Sequence, residues 1–173
     1  MLGLLVIDVQ QAMFGAAEPY NGRAVVARIA ALIARARAAK VPIFYVQHDG
    51  GLGDAFDKNG PGFALLPEIA PEPGDSITVK KRCSAFYETG LDASLRAAGV
   101  DSLVVCGMQT EYCVDTTVRS AFEHGYRVTV VGDGHSTFDS ALLPASAIIA
   151  HTQHLWNGRF ARLKLAQDVV FTG

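Results

Sequence analysis

The chain alternates short, nearly continuous apolar runs with longer segments in which apolar positions recur every three to four residues. The first run, Leu-Gly-Leu-Leu-Val-Ile-Asp-Val at residues 2–9, carries Asp8 near its end. Unbroken runs of this kind mark strands covered on both faces, as in parallel sheets. Asn21 then offers a cap for a helix reaching about residue 40. Val25, Ile29, Leu32 and Ala36 form its apolar stripe, and Arg28 and Arg35 sit off it. Pro42 opens a second strand over 43–47, with His48 and Asp49 at its end. Residues 49–75 are rich in Gly, Pro and Asp and have no period. A connection this long inside a compact domain usually serves as a lid or binding loop.

The same reading continues to the C-terminus. A short strand at 77–79 leads into Lys80, a helix at 91–98 stops at Gly99, and 102–106 is a fourth strand. A helix from about 113 to 124 turns Val114, Val118, Ala121 and Phe122 inward, with Asp115, Arg119 and Glu123 as a charge ladder outside. A fifth strand follows at 127–131. Pro144 begins a helix with Ile148, Ile149, Thr152, Leu155 and Trp156 on one face, closed by Gly158, and 160–165 is a last short strand. Strand and helix in this alternation predict an α/β fold. The expectation is a three-layer αβα, Rossmann-like architecture with a mostly parallel sheet of about six strands, in a single domain over 1–173.

Composition narrows the functional classes. Half of the 173 residues are hydrophobic and 18% are charged, which supplies a continuous core. Fifteen basic against seventeen acidic residues leave a formal charge of -2, no footprint for nucleic acid or an anionic membrane. No apolar run is long enough to span a bilayer. The N-terminus lacks a basic region and a small-residue cleavage site, so it reads as a strand and not as a signal peptide. Three cysteines without CxxC spacing point to reduced thiols and a cytoplasmic setting. Gly132-Asp133-Gly134-His135 matches neither a dinucleotide fingerprint nor a P-loop, so no cofactor is expected.

Candidate chemistry gathers at the strand ends, where open parallel sheets bind ligands. Asp8 ends the first strand, Lys80 the third, and Cys113 opens the helix after the fourth. An acid, a base and a thiol at one sheet edge form a nucleophilic constellation. A helix N-terminus and the Lys80 ammonium would favour the Cys113 thiolate. Asp8 would accept the thiol proton and return it to a leaving amine, and free N–H groups in the turn 107–113 would hold an oxyanion. Taken singly, each residue also has a plain structural explanation: Asp8 as a cap or ion-pair partner, Lys80 as a solvated residue, Cys113 as core.

Three segments carry a resemblance. Cys-Gly-Met-Gln-Thr-Glu-Tyr-Cys-Val-Asp-Thr-Thr from Cys106 resembles the nucleophile signature of the isochorismatase-like cysteine hydrolases, which include nicotinamidases, N-carbamoylsarcosine amidases and streptothricin hydrolases. Leu5-Val-Ile-Asp-Val-Gln and Lys80-Lys-Arg-Cys-Ser-Ala-Phe match two further family motifs, in the family order. The resemblance implies an Asp–Lys–Cys triad at Asp8, Lys80 and Cys113, with Lys80 and not Lys81 because it stands four residues before Ser84. It also implies a cis peptide between Met108 and Gln109 and an oxyanion hole from the N–H groups of Gln109 and Cys113. Gly-Met-Gln-Thr-Glu-Tyr-Cys is most similar to the streptothricin hydrolase branch. The Asp-x-His element that the metal-binding nicotinamidases carry after the second strand is not matched by Gln47-His48-Asp49-Gly50-Gly51, which argues against a metal and against nicotinamide as the substrate. Homodimers or homotetramers are implied.

The expected activity is metal-independent hydrolysis of a small amide or related C–N bond through a thioester. Vinyl-ether cleavage by Asp8 with an idle thiol, or a non-catalytic binding protein, are the alternatives. Gln10, Phe14, His48, Tyr87, Tyr112 and His135 are candidate contacts for a small-molecule substrate, and Phe56 and Phe63 lie in segments near the same rim. For His48 and His135 a bond to nearby backbone is an equal expectation. His151 and His154, spaced i and i+3, read as a solvated or dimer-contacting pair. Cys106 reads as inert core.

Overall fold

The computed structural model describes residues 1–171. Six strands form one sheet: β1 (Leu2–Ile7), β2 (Ile43–His48), β3 (Ser76–Lys80), β4 (Ser102–Met108), β5 (Arg127–Ser136) and β6 (Arg162–Lys164). Their order is β3-β2-β1-β4-β5-β6, and every neighbouring pair is parallel. Among the described residues the α-helices are α1 (Gly22–Ala38), α2 (Leu91–Ala97), α3 (Asp115–Glu123) and α4 (Ala145–Trp156). No described helix is long and apolar enough to cross a membrane.

Alternation along the strands divides the core into two layers. Leu4, Val6 and Tyr45 point toward α1 and pack with its stripe Val25, Ile29, Leu32 and Ala36. Leu5, Ile7, Phe44 and Val46 point to the other face, where Leu91 and Leu95 of α2, Val118 of α3 and Trp156 of α4 cover them. β1 and β4 lie at the centre with apolar side chains on both faces, which is why their sequence shows no polar alternation. β1 is also where the strand order reverses, the point at which open α/β sheets leave a crevice.

Several boundaries differ from the sequence reading. Asn21 does not cap α1: it has a left-handed backbone (φ 51°) and its side chain makes no cap bond. β5 continues through residues 132–136, past the end expected at 131, with a register shift against β4 between Val105 and Gly107. The segment 110–114 is a π-helical turn before α3, so Cys113 lies inside that turn and not at the start of an α-helix. Single π turns often occur at functional sites. Phe122 and Leu155 are exposed, not inward. Phe122 instead meets Phe160 edge-on at 5.7 Å. Arg35, off the apolar stripe, reaches the carbonyls of Ala166 and Val169.

Candidate active site

The backbone at the carboxyl edge is specialised on both sides of the crevice. Just past β1, Asp8 has φ 50°, a left-handed conformation that short polar residues tolerate better than most. Gly107 near the end of β4 has φ 128°, and a Cβ there would lie 2.1 Å from the Ile7 carbonyl oxygen. Only glycine lets β4 approach β1 so closely before the turn. The Met108–Gln109 peptide that follows is cis.

Three side chains meet at this edge. Lys80, the last residue of β3, is paired with His48 of β2 and sends its side chain inward beneath the crevice. Its Nζ lies 2.6 Å from Asp8 Oδ2 and donates to Cys113 Sγ at 3.1 Å; the Lys80 and Asp8 side chains are both 0% exposed. Among the described residues no well-aligned hydrogen bond reaches either Asp8 oxygen, so the carboxylate is held by the Lys80 charge and its lone pairs remain open to a proton. Lys80 Nζ also stands 3.4 Å from His48 Nδ1. Lys81, by contrast, is exposed.

The electrostatics follow from burying two acids with one base. Burial pushes the Asp8 carboxyl above its ordinary range, against the Lys80 charge. Burial likewise pushes the Cys113 thiol up, the Asp8 carboxylate pushes it further, and Lys80 draws it back only in part. Burial works against the Lys80 charge, yet the Asp8 carboxylate and Cys113 sulfur raise its pKa on balance. The sequence reading of a thiol depressed by Lys80 and a helix end is corrected here, because desolvation and Asp8 outweigh that cation. The trio is neutral when Asp8 and Cys113 carry one proton and one negative charge between them, opposite Lys80. Moving that proton between carboxylate and thiol creates no net charge in the buried site.

A cavity of about 150 Å³ opens onto this trio, lined by Asp8, Met13, His48, Phe56, Gln109, Tyr112 and Cys113. Larger hollows lie elsewhere, but none of them is lined by both Asp8 and Cys113. Among the described residues, no cluster of three or more His, Cys, Asp or Glu side chains is placed to hold a metal ion. Asp49 Oδ1 accepts the Gly51 N–H within its own loop.

The Isochorismatase domain model matches residues 3–154. The chain belongs to the isochorismatase family. It is 40% identical over 150 residues to the streptothricin hydrolase of Streptomyces noursei, covering 86% of this chain and 53% of that protein. The chain thus spans about half the length of that relative. It is 34% identical over 207 aligned positions to the ureidoacrylate amidohydrolase RutB of Methylobacterium radiotolerans, covering 96% and 79% of the two chains. The crystal structure of an isochorismatase from Pseudomonas putida KT2440 superposes with a TM-score of 0.94 at 32% identity, covering 98% and 90% of the two chains.

In this isochorismatase-family chain the remaining expected contacts divide. His48 and Tyr112 line the cavity; Gln10, Phe14, Tyr87 and His135 do not. Gln10 is buried, and its amide spans the carbonyls of His48 and Phe63 and the His48 N–H, fastening the loop after β2 to β1. Phe14 packs on the α1 side of the core, under the Arg23 guanidinium. Tyr87 is exposed beside Lys81 and Arg82, in a separate hollow. His135 is buried behind the nucleophile's turn, bonded to Thr110 and Gln153. Cys106 is buried in β4, its thiol pushed up to about 12 by desolvation. Met13 was missed; Phe56, expected near the rim from its place in the long loop, lines the cavity, and Phe63 does not. His151 and His154 are exposed on α4.

Proposed function

We propose that this chain is a cysteine hydrolase of an amide or related C–N bond, with Cys113 as nucleophile. The observation that carries the reading is Lys80 Nζ standing between the Asp8 carboxylate at 2.6 Å and the Cys113 sulfur at 3.1 Å, below a cavity. The names of two relatives, a streptothricin hydrolase and a ureidoacrylate amidohydrolase, favour C–N hydrolysis.

The steps follow from the shared proton. Asp8 takes the Cys113 proton as the sulfur attacks the substrate carbonyl, so the thiolate forms only as it is consumed. The N–H groups of Gln109 and Cys113 bind the developing oxyanion. Protonated Asp8 gives its proton to the leaving nitrogen, the C–N bond breaks, and a thioester remains. Asp8 then takes a proton from water, the hydroxide attacks the thioester carbonyl, and the acid leaves as the proton returns to sulfur. Lys80 keeps the charge of the trio constant throughout and needs no metal beside it. A reduced Cys113 suits the cytoplasm.

The test is release of amine or ammonia from a panel of small amides by wild type and Cys113→Ala. Loss of at least about a hundredfold in the variant is expected, as for removal of a covalent catalyst. Undiminished turnover by Cys113→Ala would overturn the assignment.

A further inference from the structure

An ammonium carries three protons and no lone pair, so a buried one needs three acceptors. Around Lys80 Nζ, whose side chain is 0% exposed, Asp8 Oδ2 lies at 2.6 Å and Cys113 Sγ at 3.1 Å. These two groups exchange a proton in the reaction proposed above, so the pull of each on the lysine changes from step to step. His48 Nδ1, at 3.4 Å, is the third partner among the described residues, and it stands outside that exchange.

The contact follows from the sheet. His48 ends β2 in register with Lys80 at the end of β3, so the two side chains leave the same face side by side. Just past that pair the Asp49 N–H donates to the Lys80 carbonyl at 2.8 Å. Gln10, two residues after Asp8, holds the His48 backbone at its N–H (2.8 Å) and its carbonyl (3.0 Å), and Phe56 meets the ring edge-on at 5.8 Å. The imidazole is thus held through its backbone and against an aromatic wall. An ammonium only donates, so Nδ1 is the accepting nitrogen and Nε2 carries the proton. Burial and the Lys80 charge lower the His48 pKa and outweigh Asp8, Asp54 and Asp49, which raise it, so the ring is neutral at pH 7 and above.

We infer that His48 is a positioning residue whose Nδ1 completes the coordination of the Lys80 ammonium and holds it between Asp8 and Cys113. This rests on the hydrolase reading above and adds a residue to its machinery, one that acts through Lys80 and not on the reacting atoms. An apolar side chain at this position would leave one N–H of a buried ammonium unpaired. That disfavours the charge and frees Nζ to move off the sulfur. The thiolate then loses part of its counter-charge at the moment it forms.

Three substitutions separate this role from mere packing. His48→Leu removes the acceptor; His48→Asn puts an amide oxygen two bonds beyond Cβ, where Nδ1 sits; His48→Gln puts it one bond farther, where Nε2 sits. Alkylation of Cys113 by iodoacetamide, in which the S–C bond forms as iodide leaves, is followed on the intact chain by peptide mass spectrometry across pH 6–10. His48→Leu is expected to react about tenfold slower at pH 8, with its onset about one pH unit higher, as for one lost bond to a charged group. His48→Asn should recover most of that loss and His48→Gln should not. The same deficit is expected with methyl methanethiosulfonate, which has no amide; a deficit confined to iodoacetamide would mean that His48 only touches the reagent, and would overturn the inference. Equal rates in His48→Leu and wild type, or equal recovery by Asn and Gln, would overturn it too. Nitrogen-15 NMR of wild type, with the His48 signals identified by their loss in His48→Asn, should show the proton on Nε2. A proton on Nδ1 instead would leave the nucleophile standing and the inference refuted. If wild-type Cys113 resists both reagents, the nucleophile assignment falls and takes the inference with it.

Discussion

His135 Nδ1 lies 2.8 Å from Thr110 Oγ1, joining the carboxyl end of β5 to the first residue of the turn that carries Cys113. The proton on this imidazole can be placed. Gln153 Nε2 donates to the Gly132 carbonyl at 2.6 Å and stands 3.0 Å from His135 Nε2. An amide nitrogen only donates, so Nε2 accepts and Nδ1–H faces Thr110. The ring must be neutral to hold both contacts.

A stability dependence on pH follows. Burial holds the His135 pKa down to about 4, below the 6.5 of a free histidine. The unfolded chain therefore takes this proton more readily than the folded one. The associated stability is complete above pH ~6.5 and declines as pH falls toward ~4, by about 2–3 kcal/mol at pH 4.5. Urea unfolding at pH 7 and pH 4.5 checks this against His135→Asn. Wild type should lose more stability between the two pH values than the variant, and equal losses would contradict the buried neutral ring.

The coupling of Asp8 to Cys113 sets a second expectation. Asp8→Asn removes the negative charge that raises the thiol, so Cys113 alkylation by iodoacetamide should begin at lower pH than in wild type. Lys80→Met removes the opposing cation and should move it to higher pH. Asp8→Asn should at the same time lose about a hundredfold or more in amide turnover, since the proton carrier is gone. A variant whose thiol titrates lower but whose turnover is unchanged would separate the charge of Asp8 from any role in proton transfer.

What the sequence made legible follows from where the signal is local. β1 announced itself because Leu4 to Ile7 are covered on both faces, and α1 because Val25, Ile29, Leu32 and Ala36 share one stripe. The end of β5 was hidden: Gly132, Asp133, Gly134 and His135 have loop composition. They are kept in a strand by distant partners, with Asp133 receiving the Ala166 N–H at 2.7 Å and His135 bonding Thr110. No periodicity encodes such contacts. The trio of Asp8, Lys80 and Cys113 was placed through three motifs in order. The direction of the Cys113 shift was misread because spacing reveals a nearby lysine but not the desolvation that opposes it. Met13 and Phe56 reach the cavity from a 3-10 turn and from the irregular loop after β2, where one sequence fixes position least.

Gly107→Ala tests the close approach of β4 to β1. The new Cβ would meet the Ile7 oxygen at 2.1 Å, and φ 128° is itself unfavourable for alanine. Strain of this kind costs ~1–3 kcal/mol before the clash is relieved, and relief requires moving Ile7 or the turn after Met108. The variant should melt at least about 4 °C lower by calorimetry. It should also lose Cys113 reactivity out of proportion to the fraction unfolded, because Asp8 and Cys113 flank the displaced backbone. A normal melting temperature would mean the strand separates without cost.

Trp156 provides the last check, on the other end of the nucleophile's turn. It is the chain's single tryptophan, 0% exposed, and its Nε1 donates to Asp115 Oδ1 at 2.6 Å. Asp115 directly follows the turn and also receives Arg119 Nε at 2.8 Å, so Trp156→Phe leaves the carboxylate paired but loses one charge-assisted bond and some packing. A loss of about 1.5–3 kcal/mol is expected, lowering the melting temperature by roughly 3–10 °C. Because α4 also holds Gln153 against His135, the substitution should loosen the turn from both ends and slow Cys113 alkylation in the folded protein. Wild-type fluorescence reports on this one site, so its red shift on unfolding should coincide with the calorimetric transition. A fluorescence change well below that transition would mean that α4 leaves the turn before the sheet unfolds, and that Trp156 does not brace the nucleophile in the way its bond to Asp115 requires.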